Sequence, residues 1–219
     1  PHAVHSDHFI PFDEQQISQL RQEKLGIDDD KFLIFWNNRN ARRKQPGTLL
    51  FWFKEFLERI GKDKAMLIMH TEPNDENGPN LAKIIHNLDL THGEVKFSTQ
   101  KVNFQQLAAM YNMADVTVNI SDAEGFGLAT LESLSCATPI IVTMTGGLQE
   151  QVTDGKNWFG VGIEPSSKAV IGSQQIPYIY EDRISKEDFL NALMKIHEMN
   201  REQRAEIGFQ GRAHVAKNY

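Results

Sequence analysis

Two rhythms of apolar and polar positions take turns along this chain. FLIFW (32–36) is an unbroken apolar run with turn-type residues on both sides, which predicts a buried strand. AMLIMH (65–70), VKF (95–97), the β-branched VTVNI (116–120) and PIIVTM (139–144) read the same way. Between them the spacing becomes helical. Residues 13–25 predict a helix with Ile17 and Leu20 on one face, 47–60 an amphipathic helix, and 78–88 another. Phe104, Leu107, Ala108 and Tyr111 recur at i, i+3, i+4, i+7. A glycine-bearing turn (124–127) leads into a helix over about 127–136, and TGGLQEQV turns into a short one. Residues 164–184, with Pro, Gly and Ser, predict a long loop, and two helices (about 185–198 and 201–217) close the chain.

Strand alternating with helix predicts an α/β fold, a doubly wound, Rossmann-like parallel sheet covered on both faces. Such a sheet binds ligands in the crevice at the carboxyl ends of its strands. The loops after Trp36, His70, Phe97, Ile120 and Met144 are therefore where chemistry is expected. No internal repeat and no Pro/Gly-rich linker divides the 219 residues, so 1–219 reads as a single domain.

Composition narrows the function classes. The net charge of -6 argues against non-specific nucleic-acid binding, which needs a basic footprint. The single Cys136 excludes an intrachain disulfide framework and a cysteine-built zinc site. No apolar run approaches the roughly 18 residues of a spanning helix, and the first residues lack the apolar stretch of a signal peptide. A soluble, cytoplasmic protein is the expectation. A chain that begins at Pro1 without Met reads as a fragment or a trimmed one.

Two of the loops carry distinctive chemistry. NNRNARRKQPG (37–47) brings Arg39, Arg42, Arg43 and Lys44 together in an acidic protein. Arg and Lys donate charge-assisted hydrogen bonds that suit phosphate oxygens, although a solvated basic turn has the same composition. SDAEGFGLATLESL (121–134) lies between a strand and a helix. Gly125 and Gly127 let the backbone approach a ligand, and the helix start offers unpaired N–H groups and the positive end of a dipole. Glu124 precedes that helix and Glu132 lies about two turns into it. An ordinary tight turn with Glu124 stabilising the helix start is the plainer alternative. GFGLAT lacks the third glycine of a dinucleotide fingerprint and comes too late in the chain for one. Taken together, cations from an early loop and a helix start from a late one can converge on one diphosphate. Two carboxylates beside it imply sugar or ribose hydroxyls, so a nucleotide-sugar is the simplest ligand satisfying both.

At these residues the sequence resembles the carboxy-terminal, donor-binding domain of the GT-B glycosyltransferases of the retaining family-4 type. PHAV (1–4) is similar to the stretch where that family's chain passes from acceptor to donor domain, which makes residues 1–12 a linker remnant. NRNARRK resembles the loop carrying an Arg and, five residues on, a Lys. EGFGLATLESLSCATPII has the family's pair of glutamates separated by seven residues, and GGLQEQVTDG (146–155) resembles its next loop. The resemblance implies that Arg39 and Lys44 bind the donor diphosphate and stabilise the leaving nucleoside diphosphate, and that Glu124 contacts sugar hydroxyls. It also implies that backbone N–H groups of Phe126, Gly127 and Leu128 meet sugar or phosphate oxygens, that Glu132 accepts from the ribose, and that Val102 walls the base. It implies retention, no metal and no cofactor beyond a UDP- or GDP-sugar substrate. The acceptor would sit on an amino-terminal domain, and any membrane association would be peripheral, through that domain. Gln45, Thr99 and Trp158 stand where the family often has Gly.

Other features invite weaker readings. Asp28, Asp29 and Asp30 mimic a metal motif but precede the first strand, so a polar turn is expected. His2, His5 and His8 read as a frayed terminus, His70 as a residue within reach of the donor, Cys136 as a small core residue, and Phe51, Trp52, Phe53 and Phe56 as core or interdomain packing. Two other functions remain open on the sequence. One is a sugar-nucleotide epimerase-like enzyme of the same fold, and the other is a non-catalytic nucleotide-sugar-binding module.

Overall fold

The computed structural model describes residues 3–219, so Pro1 and His2 lie outside the described residues. Six parallel strands form one sheet: β1 (Phe32–Asn37), β2 (Ala65–His70), β3 (Val95–Ser98), β4 (Val116–Asn119), β5 (Ile140–Thr143) and β6 (Gly160–Ile163). Their order is β3-β2-β1-β4-β5-β6. The chain winds outward from β1 in one direction and then, from β4, in the other. The winding reverses between β1 and β4, the place where sheets of this kind bind ligands beyond their carboxyl ends, and the two distinctive loops follow these two strands.

Period-two alternation in β1 divides the core. Phe32, Ile34 and Trp36 face one layer, with Phe53 and Phe56 of α2 (Pro46–Ile60) and Phe189 and Leu193 of α7 (Lys186–Glu198). Leu33 and Phe35 face the other, with Ala108 and Tyr111 of α4 (Phe104–Met113). A third cluster packs α5 (Leu128–Ser135) and α6 (Leu148–Val152) against β5 and α8 (Arg201–Asn218). Full burial of an aromatic such as Phe53 or Phe56 contributes about 1.5–3 kcal/mol of transfer free energy. Phe51, by contrast, is exposed on the outer face of α2. The remaining helices are α1 (Glu14–Leu20), continued by a π-helical turn to Leu25, and α3 (Leu81–Asn87).

Residues 4–12 lie against α4 and α5. Phe9 is buried, Asn112 donates to the Ile10 carbonyl and accepts from the Phe12 N–H, and Ser135 Oγ donates to the Phe9 carbonyl. His5 and His8 are not frayed. Their rings pack on Phe104 at 5.0 and 5.2 Å between centroids, which covers one side of that otherwise exposed aromatic.

The expected loop over 164–184 is corrected to an antiparallel hairpin of β7 (Ser167–Ile171) and β8 (Ile179–Arg183). Its one deeply buried side chain is Glu181, so apolar alternation carried no signal for it. The sixth strand, GVGI, also escaped the pattern because half of it is glycine. Asp29 sits in a turn before β1, near the amino end of the sheet, where it accepts from Ser18 and pairs with Arg201. Among the described residues no helix is long and apolar enough to cross a membrane.

Candidate functional site

The two loops at the switch point are stitched together. The Asp122 N–H donates to the Arg43 carbonyl at 2.8 Å, and Arg43 Nη1 donates to the Ala123 carbonyl at 2.8 Å. Lys44, at the end of a short 3₁₀ turn, forms an ion pair with Glu124. Only 9% of the Lys44 side chain and 11% of that of Glu124 are exposed. Burial lowers the Lys44 pKa, and the hydrogen bond and charge of Glu124 oppose that shift. Gln45 follows in a left-handed conformation, φ 55°, where the family resemblance expects Gly. This geometry costs a non-glycine residue about 1–2 kcal/mol. Here Gln45 Nε2 donates to Asp122 Oδ2 at 2.6 Å and its Oε1 accepts from Thr48 at 2.6 Å, which offsets that cost.

Arg39 makes a different ion pair. Its guanidinium is turned to Asp75, in the loop after β2, with Nε to Oδ2 at 2.7 Å and Nη2 to Oδ1 at 3.3 Å. Arg39 and the Asn77 amide hold Asp75 well below the usual carboxylate range. Arg42 and Arg183 bind the buried Glu181 of the hairpin, and Arg183 also contacts Asp122. Arg42 therefore anchors the hairpin to the site.

The loop before α5 is braced from below. Gly127 caps the helix at φ 89°, and a Cβ there would lie 2.6 Å from Leu148 Cδ2. Gln151 Nε2 donates to the Phe126 carbonyl at 2.7 Å and accepts from Thr130 at 2.6 Å. Phe126 thus leads into the N-cap Gly127 and the first helical residue Leu128 at an amino end that is fixed in place. Glu132 lies half-buried on α5, and Tyr111 Oη donates to its Oε2 at 2.8 Å. Asn37, at the end of β1, donates to Tyr111 Oη at 2.8 Å. Asn38 Nδ2 and Asn119 Nδ2, at the carboxyl ends of the two central strands, are buried donors with no hydrogen-bond partner among the described residues.

Val102 lies in the loop between β3 and α4. It lines a cavity of about 540 Å³ with Phe97, Gln106 and Met110, between α1 and α4. His70 Nδ1 lies 2.9 Å from Ser98 Oγ across β2 and β3, and burial lowers its pKa. Cys136 is buried and its thiol is pushed up by that burial, consistent with a core role. Asp75 and the Asn37–Tyr111 pair were not singled out by sequence. The polar loop TEPNDENG after a strand beside β1 was the available signal for Asp75.

Burial raises the Glu132 pKa, with the Tyr111 hydrogen bond acting against it. A carboxylate with a raised folded pKa contributes stability in its neutral form, and that stability is lost as pH rises through the folded value. Glu132→Gln keeps an acceptor for Tyr111 and removes the charge. The variant is expected to melt at a higher temperature than the parent at pH 7. The gain should shrink as pH falls towards 4.5, the ordinary glutamate value, which thermal melts across that range would test.

Known proteins share this fold and part of this sequence. The family model "Glycosyl transferases group 1" matches residues 18–196. A D-inositol 3-phosphate glycosyltransferase of Paenarthrobacter aurescens is 37% identical over 190 residues, 86% of this chain and 44% of that protein. The chain spans less than half the length of such relatives. The C-terminal domain of a glycosyl transferase group 1 family protein (LpcC) from Francisella tularensis superposes with a TM-score of 0.70 at 21% identity. That match covers 99% of this chain and 98% of the other. HepE of Anabaena, solved in complex with UDP and glucose, superposes with a TM-score of 0.73 at 17% identity, over 100% of this chain and 51% of that one.

Proposed function

This chain belongs to the group 1 glycosyl transferases, and on that footing we propose that it is the donor-binding half of a retaining, metal-independent enzyme that moves a hexosyl group from a UDP- or GDP-sugar to an acceptor. The acceptor would be held by an amino-terminal domain, in keeping with the greater length of the relatives. The observation that carries the reading is the buried Lys44–Glu124 pair at the switch point, beside the braced amino end of α5.

Breaking the bond between the anomeric carbon and the phosphate develops negative charge on the departing diphosphate. Lys44, Arg39 and the helix dipole are the positive groups that would stabilise such charge, the two side chains by exchanging their carboxylate partners for the diphosphate. In this reading the diphosphate takes Lys44 from Glu124, and the freed Glu124 carboxylate accepts from sugar hydroxyls. Phe126, Gly127 and Leu128 supply backbone donors, and Glu132 accepts from the ribose. Val102, in the loop between β3 and α4, walls the base.

Calorimetric titration of the chain with UDP-, GDP- and ADP-sugars tests the proposal. Saturable binding of a UDP- or GDP-sugar is expected, and no binding to any of the three would overturn it.

A further inference from the structure

We propose that Tyr111 is a positioning residue that fixes the Glu132 carboxylate for ribose recognition. This rests on the donor-binding reading and names a residue through which that site selects its nucleotide.

The Tyr111 hydroxyl has one proton to give and lone pairs to accept with. An ionised carboxylate can only accept, so the proton goes to Glu132 Oε2 at 2.8 Å. Asn37 must then present its NH₂ to Tyr111 Oη, also at 2.8 Å, which fixes the orientation of its amide. The result is a directed chain from the end of β1, through α4, to α5. It takes up Oε2 and leaves Oε1 as the acceptor for a hydroxyl arriving from the crevice.

The ring cannot swing away. Tyr111 is fully buried, with Phe35 edge-on at 5.0 Å and Phe9 edge-on at 6.0 Å between centroids. Burial and the nearby Glu132 charge push the phenol well above its usual range, so it remains a donor at every physiological pH. No other side-chain hydrogen bond holds Glu132 among those the described residues make. Without the hydroxyl, a half-buried carboxylate on a helix surface can rotate, and the entropy of fixing it would fall on the ligand.

Ribose and deoxyribose ligands separate this role from simple packing. The parent chain is titrated with UDP and GDP and with their 2′-deoxy and 3′-deoxy counterparts. A hydrogen bond to a charged acceptor makes the ribonucleotide bind about 10- to 100-fold tighter than at least one deoxy form. Tyr111→Phe, which keeps the ring, is expected to reduce that preference about tenfold while changing deoxynucleotide affinity less than about threefold. Equal weakening of ribo- and deoxynucleotides, with the preference intact, would assign Tyr111 to packing and overturn the proposal. A parent chain that binds none of these nucleotides would instead overturn the donor-binding reading on which it rests. Should Tyr111→Phe fail to fold, Asn37→Ala leaves the ring in place and frees the hydroxyl to rotate, and it is read by the same ratio.

Discussion

Lys44→Met is expected to weaken nucleoside-diphosphate binding about 10- to 100-fold and also to lower the stability of the chain. The first effect follows from the loss of a charge-assisted hydrogen bond to the ligand. The second follows from what the variant leaves behind. Glu124 is nearly as buried as Lys44. Removing one member of a buried pair strands the other charge, at about 3 kcal/mol or more. Lys44→Met combined with Glu124→Gln removes both charges, so most of the lost stability should return while nucleotide affinity stays low. Thermal melts and titrations on the two variants and the parent would read this directly. Recovery of affinity in the double variant would mean that the single substitution acted only by disturbing the fold. Lys44 would then have no direct part in binding.

That dissociation is possible because the site is built from a pair that neutralises itself. The sequence displayed both members, Lys44 in a basic run and Glu124 before a glycine turn, but not their meeting across 80 positions of chain. Whatever depended on local pattern was legible: the apolar runs of β1 to β5, the helix within each crossover, and the glycine start of α5. What depended on tertiary neighbours was not. Tyr111 falls on the apolar stripe of α4 with Leu107 and Ala108, and so reads as core. Its hydroxyl acquires a task only when α4 packs beside Glu132. The hairpin was hidden because its inward residue is a carboxylate, and nothing in IPYIYED announces that Arg42 and Arg183 will cover Glu181. Gln45 reads from sequence as a mere departure from Gly. The structure gives it the same left-handed backbone, held by its side chain.

Arg39→Glu is expected to abolish measurable nucleoside-diphosphate binding while leaving the melting temperature unchanged. The side chain is 64% exposed, and its fork with Asp75 is a solvent-screened pair of the kind that adds little to stability. Reversal places a negative charge where a diphosphate would have to bind. Retained affinity would reduce the basic loop, at Arg39, to a solvated turn. Asp75 sharpens the test. It occupies the Nε and Nη2 edge of the guanidinium, the edge that also suits two phosphate oxygens. A diphosphate seeking that edge must displace the carboxylate. Asp75→Asn is therefore expected to raise nucleotide affinity several-fold, with the gain fading as added salt screens the charges. A loss of affinity in Asp75→Asn would reverse the assignment. Asp75 would then be the support that aims Arg39 at its ligand, and the ion pair in this structure would be the working geometry of the site, with nothing for a ligand to displace.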